Sequence, residues 1–417
     1  MSFMEERESV KWLHRRAGFG LPPAQMRTAI DRGFAAELEL LLSQAEVAKA
    51  VVNDPWDDAS LPLDPMDGPS RRYAIATWID QMVRSEQPLV DRVTWLWHGH
   101  FVSALDKVRI ARLMVDQIRL FRMAGLGGLQ TLLRSVTIDA AMLDYLDGRS
   151  STGSAPNENY PREFLELFTI GGGNFVEADV KAGASALSGW TFARGGEGVV
   201  FRPARHDDTA HRYLGIDGVH DLDTVIAAVM AHPALPSAIA DTVSRQILGS
   251  NDPEMVDALA SEFVASGFVV ADLVRAALTA GAELAWSPLV MGPLPWFVIA
   301  ARTVAAAPAA REVVLLLRAA GQLPMLPPNV AGWPGGATWF NSGSLVARAN
   351  LAAVVAQSAT DEEVLAAATG DDADVLADVL GLPSTGFDAQ SRAALSAAPA
   401  GRDRLAVALV APEFMVA

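Results

Sequence analysis

The 417-residue sequence predicts a mainly α-helical protein, a large multi-helix, bundle-like architecture with one short β-hairpin inserted near 191–202. Three observations predict it. Apolar residues recur at three-to-four spacing along most of the chain. Pro and Gly clusters punctuate the segments between. β character is confined to Thr191–Gly218, where Gly195, Gly196 and Gly198 separate Trp190-Thr191-Phe192 from Val199-Val200-Phe201.

The elements follow in order. Met26, Ile30, Phe34, Leu38 and Leu41 mark an amphipathic helix over Ala24–Gln44. Residues 53–70 are rich in Asp and Pro and read as a loop. A helix over Arg71–Ser85 follows, and Gln87-Pro88 opens another that carries Val90, Val93 and Trp97. Two more fill Val108–Met123 and Leu126–Ser135. The polar stretch Arg149–Asn159 ends in Asn159, a candidate N-cap, with Pro161 suited to the first turn. The Gly171–Gly173 run stops that helix, and Glu177–Trp190 forms the next. The second half is again helical apart from Leu323–Asn341, where seven Pro and Gly residues surround Trp333 and Trp339. The regions 1–150, 151–345 and 346–417 are expected to form one compact unit or two lobes.

Composition excludes several functions. The chain has no cysteine, so thiolate catalysis, disulfide frameworks and Cys-ligated zinc or iron–sulfur centres are ruled out. A formal charge of −16 repels phosphate backbones and argues against nucleic acid. No run of about 20 apolar residues is free of charges, so no membrane span is expected. Met1–Trp12 shows no secretory pattern, and a cytoplasmic location is expected.

Four constellations hold residues capable of chemistry. Trp95–Phe101 contains His98 and His100. Two residues apart on a continuous helix they point about 200° from each other and cannot share one metal, unless Gly99 breaks the helix. They read either as core histidines with satisfied hydrogen bonds or as pocket groups. Asn157–Leu167 places Glu163 and Glu166 three apart on one face, with Arg162 able to pair with Glu166. Asn157, Glu158 and Asn159 precede that helix. Carboxylates and amides suit a hard divalent cation, or Mn, Fe or Zn if a His joins them. The alternative is a helix cap and an Arg–Glu strut. Arg202–Asp208 puts His206 beside two Asp, as an acid–base group or a solvated turn. Pro327–Asn341 carries Asn329, Trp333, Trp339 and Asn341 on a long loop that either lines a site or plugs the core. No nucleophile elbow, P-loop, dinucleotide fingerprint or H-E-x-x-H motif is present.

Taken in order, these segments resemble a known family. His14–Gly20, Trp97–Phe101, Met142–Asp147, Asn157–Tyr160 with Arg162-Glu163 and Glu166-Leu167, Ala186–Trp190, Arg205–Asp207, Pro328–Gly336 with Trp339, and Pro412–Phe414 are similar to the bacterial domain of unknown function 1800. The resemblance spans almost the whole chain and implies a mostly helical fold without an established activity. It also implies a partner from a neighbouring phosphatase-like family. Many such proteins look exported, whereas no signal segment is visible here.

Two functions are expected to compete. In the first the chain is an enzyme whose constellations converge on one pocket. His98, His100, Glu163, Glu166 and His206 would act as ligands or acid–base groups. Asn157, Glu158, Asn159, Arg162, Asn329 and Asn341 would orient the substrate between Trp333 and Trp339. Such a lining suits a carbohydrate or similar polyol and leaves room for a divalent metal. In the second, the chain is a binding or maturation partner of another protein, and the polar clusters are internal struts.

Overall fold

In the computed structural model, residues 6–50, 54–64, 66–194, 198–283 and 288–416 are described, the side chains of 45–50 and 283 excepted. Two helices run through the centre. Pro88–His100 buries every residue from Pro88 to His98, and Pro293–Thr303 buries all but Arg302. Each begins with Pro in the first turn, where the missing N–H costs nothing. Each is buried on nearly all sides, as a helix surrounded by others is. Their tryptophans still carry a polar atom into the core. Trp97 Nε1–H donates to Gly125 O at 2.7 Å, and Trp296 Nε1–H donates to Leu409 O at 2.9 Å.

One hydrophobic cluster draws on residues from Trp12 to Met415. The last residues return to the middle of the chain, where Met291 N–H donates to Met415 O and Val290 pairs with Val416. Arg15 on the first helix, Glu6–Ala17, donates to Phe414 O at 2.8 Å. Among the described residues, no single helix is long and apolar enough to cross a membrane.

The architecture is mainly α with small β insertions, as the spacing predicts, and four details differ. The helix expected over Ala24–Gln44 is two, Pro23–Arg32 and Phe34–Ala50, because Gly33 turns at φ +84°. The helix expected over Val108–Met123 is broken likewise: Leu105–Val108 ends at Arg109 with φ +62°, and Ala111–Ala124 follows. Asn159 is the first helical residue rather than the cap. Asn157 Oδ1 accepts its N–H at 2.9 Å in a local turn. The helix from Glu177 stops at Ala186, since Gly189 at φ +95° redirects the chain into a strand.

That strand, Trp190–Phe192, pairs antiparallel with Val199–Phe201, with Trp190 opposite Phe201. Gly195 and Gly196 of its turn lie outside the described residues. A second ribbon, unanticipated as a hairpin, pairs His211–Tyr213 with Ile216–Val219 through Leu214 and Gly215. Both central residues have positive φ, the backbone a two-residue hairpin turn needs.

Candidate functional site

His98 and His100 leave opposite sides of an unbroken helix. His98 Nε2 accepts the Met325 N–H at 3.0 Å. Its ring lies in a box of Trp78, Trp95 and Trp333, with centroids 5.1, 6.0 and 5.4 Å away. Burial pulls this imidazole down to about 3, so it is neutral at pH 7. His100 Nε2–H donates to Phe168 O at 2.9 Å on the π-helical turn Phe164–Thr169. Burial takes it to about 4, against the opposing pull of that bond.

The Gly-Trp-Pro loop docks on the same helix. Trp333 stacks on Trp95 at 4.7 Å with 26° between planes. A Cβ on Gly332 would stand 2.3 Å from Gly99 O, so the two backbones touch where neither residue has a side chain. Asn329 Oδ1 accepts the Ala331 N–H within the loop. Trp339 is buried. Asn341 is a helix cap, its Oδ1 accepting the Ser344 N–H at 2.9 Å ahead of Ser342–Ser358. Asn341→Ala is therefore expected to lower stability by about 1 kcal/mol and Asn341→Asp to restore most of it, as read from urea unfolding midpoints.

The remaining candidates settle into local networks. Arg162 pairs with Glu158 at 3.1 Å and Glu177 at 2.8 Å, not with Glu166, because the helix gives way to the π-turn after Glu163. Glu163 is half-buried, and burial followed by the charge of exposed Glu166 raises its pKa. His206 Nδ1–H donates to Ser188 O at 2.9 Å, and its ring meets Phe201 edge-on. Asp207 N–H donates to Ser188 Oγ, and Asp207 reaches His211 at 3.5 Å. Among the described residues, no group of three or more His, Asp or Glu is placed to hold a metal ion.

Asn159 alone of these leads to a cleft with opposed charges. Its Nδ2 donates to Asp147 Oδ2 at 3.1 Å. Lys107 Nζ meets the same oxygen at 2.9 Å. Beside them Arg149 Nε lies 2.7 Å from Asp144 Oδ1, and the Arg149 guanidinium sits 5.3 Å over the Phe192 ring. Together with Asp106 and Arg109, Lys107, Asp144, Asp147, Arg149 and Phe192 line an open cleft of about 520 Å³, to which Asn159 is joined through Asp147.

Local folding explains the placement. The Ala140–Tyr145 helix, capped by Asp139, presents Asp144 in its last turn. Asp147 and Arg109 both hold left-handed backbones, at φ +61° and +62°. Two such non-glycine residues on one cleft are the kind of local strain that collects at functional sites. The Asp144 side chain is only 12% exposed. Burial, helped by repulsion from Asp147, raises its pKa against the pull of Arg149 and Lys107. Asp147, at 44% exposure, remains open to solvent. The cleft thus offers a sheltered carboxyl, an open carboxylate and cationic donors, with the Phe192 ring under Arg149. Sequence reasoning quoted Asp144 and Asp147 only as part of a familiar segment. Their three-residue spacing before an Asp-Gly turn was the available signal.

Fold and cleft together define a mainly helical protein with a two-carboxylate polar site. The chain belongs to the family described as a protein of unknown function, DUF1800, which matches residues 12–416. No curated protein and no solved structure matches it.

Proposed function

We propose that the protein is an enzyme acting on a polar, carbohydrate-like substrate in the Asp144–Asp147 cleft. The observation that carries this reading is the pair of carboxylates in unlike surroundings, one sheltered with a raised pKa and one solvated, flanked by cations and an aromatic ring. Such a pair separates acid from base roles at one pH. In this reading the glycosidic C–O bond breaks as the Asp144 carboxyl donates its proton to the leaving oxygen, and the Asp147 carboxylate takes a proton from the water whose oxygen forms the new bond to that carbon. Lys107 and Asn159 hold Asp147, and Lys107 and Arg149 meet hydroxyls of the substrate. Phe192 forms the apolar floor beneath the Arg149 guanidinium. Asn157, Glu158 and Arg162 form the adjoining turn that positions Asn159. His98, His100 and His206, bonded to backbone groups, serve as packing elements. The metal-assisted version of the reading has no donor cluster among the described residues to support it.

Saturation-transfer NMR with a panel of oligosaccharides, followed by turnover of those that bind, tests the proposal. Binding is expected in the wild type and loss of at least tenfold in affinity in Lys107→Ala. Asp144→Asn should retain binding and lose about 10²–10⁴ in kcat. A panel in which nothing binds at millimolar concentration, or an active Asp144→Asn, rejects it.

The second reading, a binding partner for a phosphatase-like protein, draws on Leu315 and Val346, which stand 58% and 63% exposed. It predicts a stable complex that Leu315→Glu with Val346→Glu dissolves, as read by size-exclusion chromatography.

A further inference from the structure

A separate cavity of about 660 Å³ opens between the first three helices and the helices Gly68–Arg84 and Pro293–Thr303. None of the residues assigned to the polar cleft lines it. Its walls are apolar, from Leu41, Ile79, Val83, Phe297, Ala301 and Val313. Its volume and its few convergent polar groups suit a small organic ligand.

The polar groups gather at one end. His14 and Glu37 are both 3% exposed and meet through Nε2 and Oε2 at 3.0 Å. Arg32 meets the other carboxylate oxygen of Glu37. Burial, then the charges of Arg302 and Arg32, pulls His14 down to about 3, so the imidazole is neutral and donates its Nε2–H to Glu37. The Glu37 charge is thereby matched by Arg32. Arg302 is different. It donates to the carbonyls of Met82, Val83 and Ser85 and reaches toward that of Gly20. Among the described residues, no carboxylate lies within ion-pair distance of it. The other acids on the lining do not supply one: Asp80 pairs with Arg84 at 2.7 Å, and Glu86 is exposed at the surface. The inner end therefore holds one positive charge beyond what its own acid neutralises, beside open space. A guanidinium held by carbonyl dipoles alone in such a setting favours an anion.

We propose that this cavity is a binding site for an amphiphilic anion, with the anionic head between Arg302 and Arg32 and an apolar body along Ile79, Phe297 and Val313. With Nε and Nη1 of Arg302 engaged by carbonyls, Nη2 is the donor left for an anion oxygen. The site is independent of the reaction proposed for the Asp144 cleft.

Displacement of the fluorescent anion 1-anilinonaphthalene-8-sulfonate tests it, with decanoate and 1-decanol as competitors of equal chain length. Decanoate is expected to displace the dye from one saturable site at a concentration at least tenfold below that of decanol. Ala76→Trp, at a half-buried wall position, should abolish competition by both. Arg302→Gln should bring decanoate to the level of decanol. Because Arg302 also closes the end of the Gly68–Arg84 helix, Arg32→Gln is the second charge variant, with a smaller loss expected. Asp144→Asn should leave all of this unchanged. Equal displacement by decanoate and decanol overturns the anion assignment. Dye binding that neither competitor displaces, or that persists in Ala76→Trp, overturns the site.

Discussion

Gly332→Ala is expected to destabilise the protein by about 3 kcal/mol or more. Two independent costs meet there. The backbone holds φ +80°, which a side chain disfavours. The new Cβ would also stand 2.3 Å from Gly99 O, a backbone atom that cannot swing aside as a flexible side chain does. Relief requires lifting the loop, and the loop brings Trp333 onto Trp95 and the His98 ring. Loss of that contact opens a cavity at the end of a fully buried helix, adding to the damage. Gly335→Ala is the control, since its Cβ would meet nothing within 4 Å and its φ is −118°. It should shift stability by less than about 0.5 kcal/mol. Urea midpoints at constant m separate the two. Equal midpoints would mean that the loop is not tied to the helix.

A steep loss of stability in mild acid is the second large effect. His14, His98 and His100 are held to about 3, 3 and 4 by burial, from an ordinary value of 6.5. Below pH 6.5 the unfolded chain takes up protons that the folded chain refuses. The stabilisation is therefore complete above pH 6.5 and is lost as pH falls toward the folded values. Each ring removes about 1.4 kcal/mol per pH unit in that window. Asp139 opposes them. It is raised to about 7 by burial, outweighing its bonds from Met142 N–H and Gln117 Nε2–H. Its folded form keeps a proton that the unfolded form loses above 3.8. Its contribution therefore fades as pH rises from about 4 to 7 and returns on acidification. Three rings against one carboxyl leave a net loss of about 3 kcal/mol between pH 6.5 and 5. Against a total of about 5–15 kcal/mol, that is a collapse of the unfolding midpoint. His100→Gln, whose amide can still donate to Phe168 O, should remove roughly a third of the rings' share of the slope. A midpoint flat from pH 7 to 5 would show that the rings are not shielded as described.

The helical course of the chain was legible because burial in helices leaves a period of 3.6, and Pro, Gly and Asp mark the ends. The hairpin at Trp190–Phe201 was legible for the matching reason of glycine-separated β-formers. The break at Gly33 was within reach, since glycine after a basic last turn is a stop signal. The break at Arg109 was not, because nothing in an arginine announces a left-handed backbone.

The sites divide in the same way. The residue types predicted for the site were scarce polar groups in an apolar chain, and the sequence marked them without deciding which would be buried: His98 is, whereas Glu166 and Asn329 are exposed. Opposite orientations for His98 and His100 also followed from helix geometry, once Gly99 left the helix whole. Only the tertiary structure decided partners. It paired Arg162 with Glu158 and Glu177 instead of Glu166, and used Asn341 as a cap. It also joined Asp147 to Lys107 and Asn159 across 40 and 12 positions. It alone set Arg302 at the end of a cavity with no carboxylate, among the described residues, within ion-pair distance of it. The physical reason is range. Periodicity and capping are decided within a few residues along the chain. The charge that faces another charge is decided by how the helices pack.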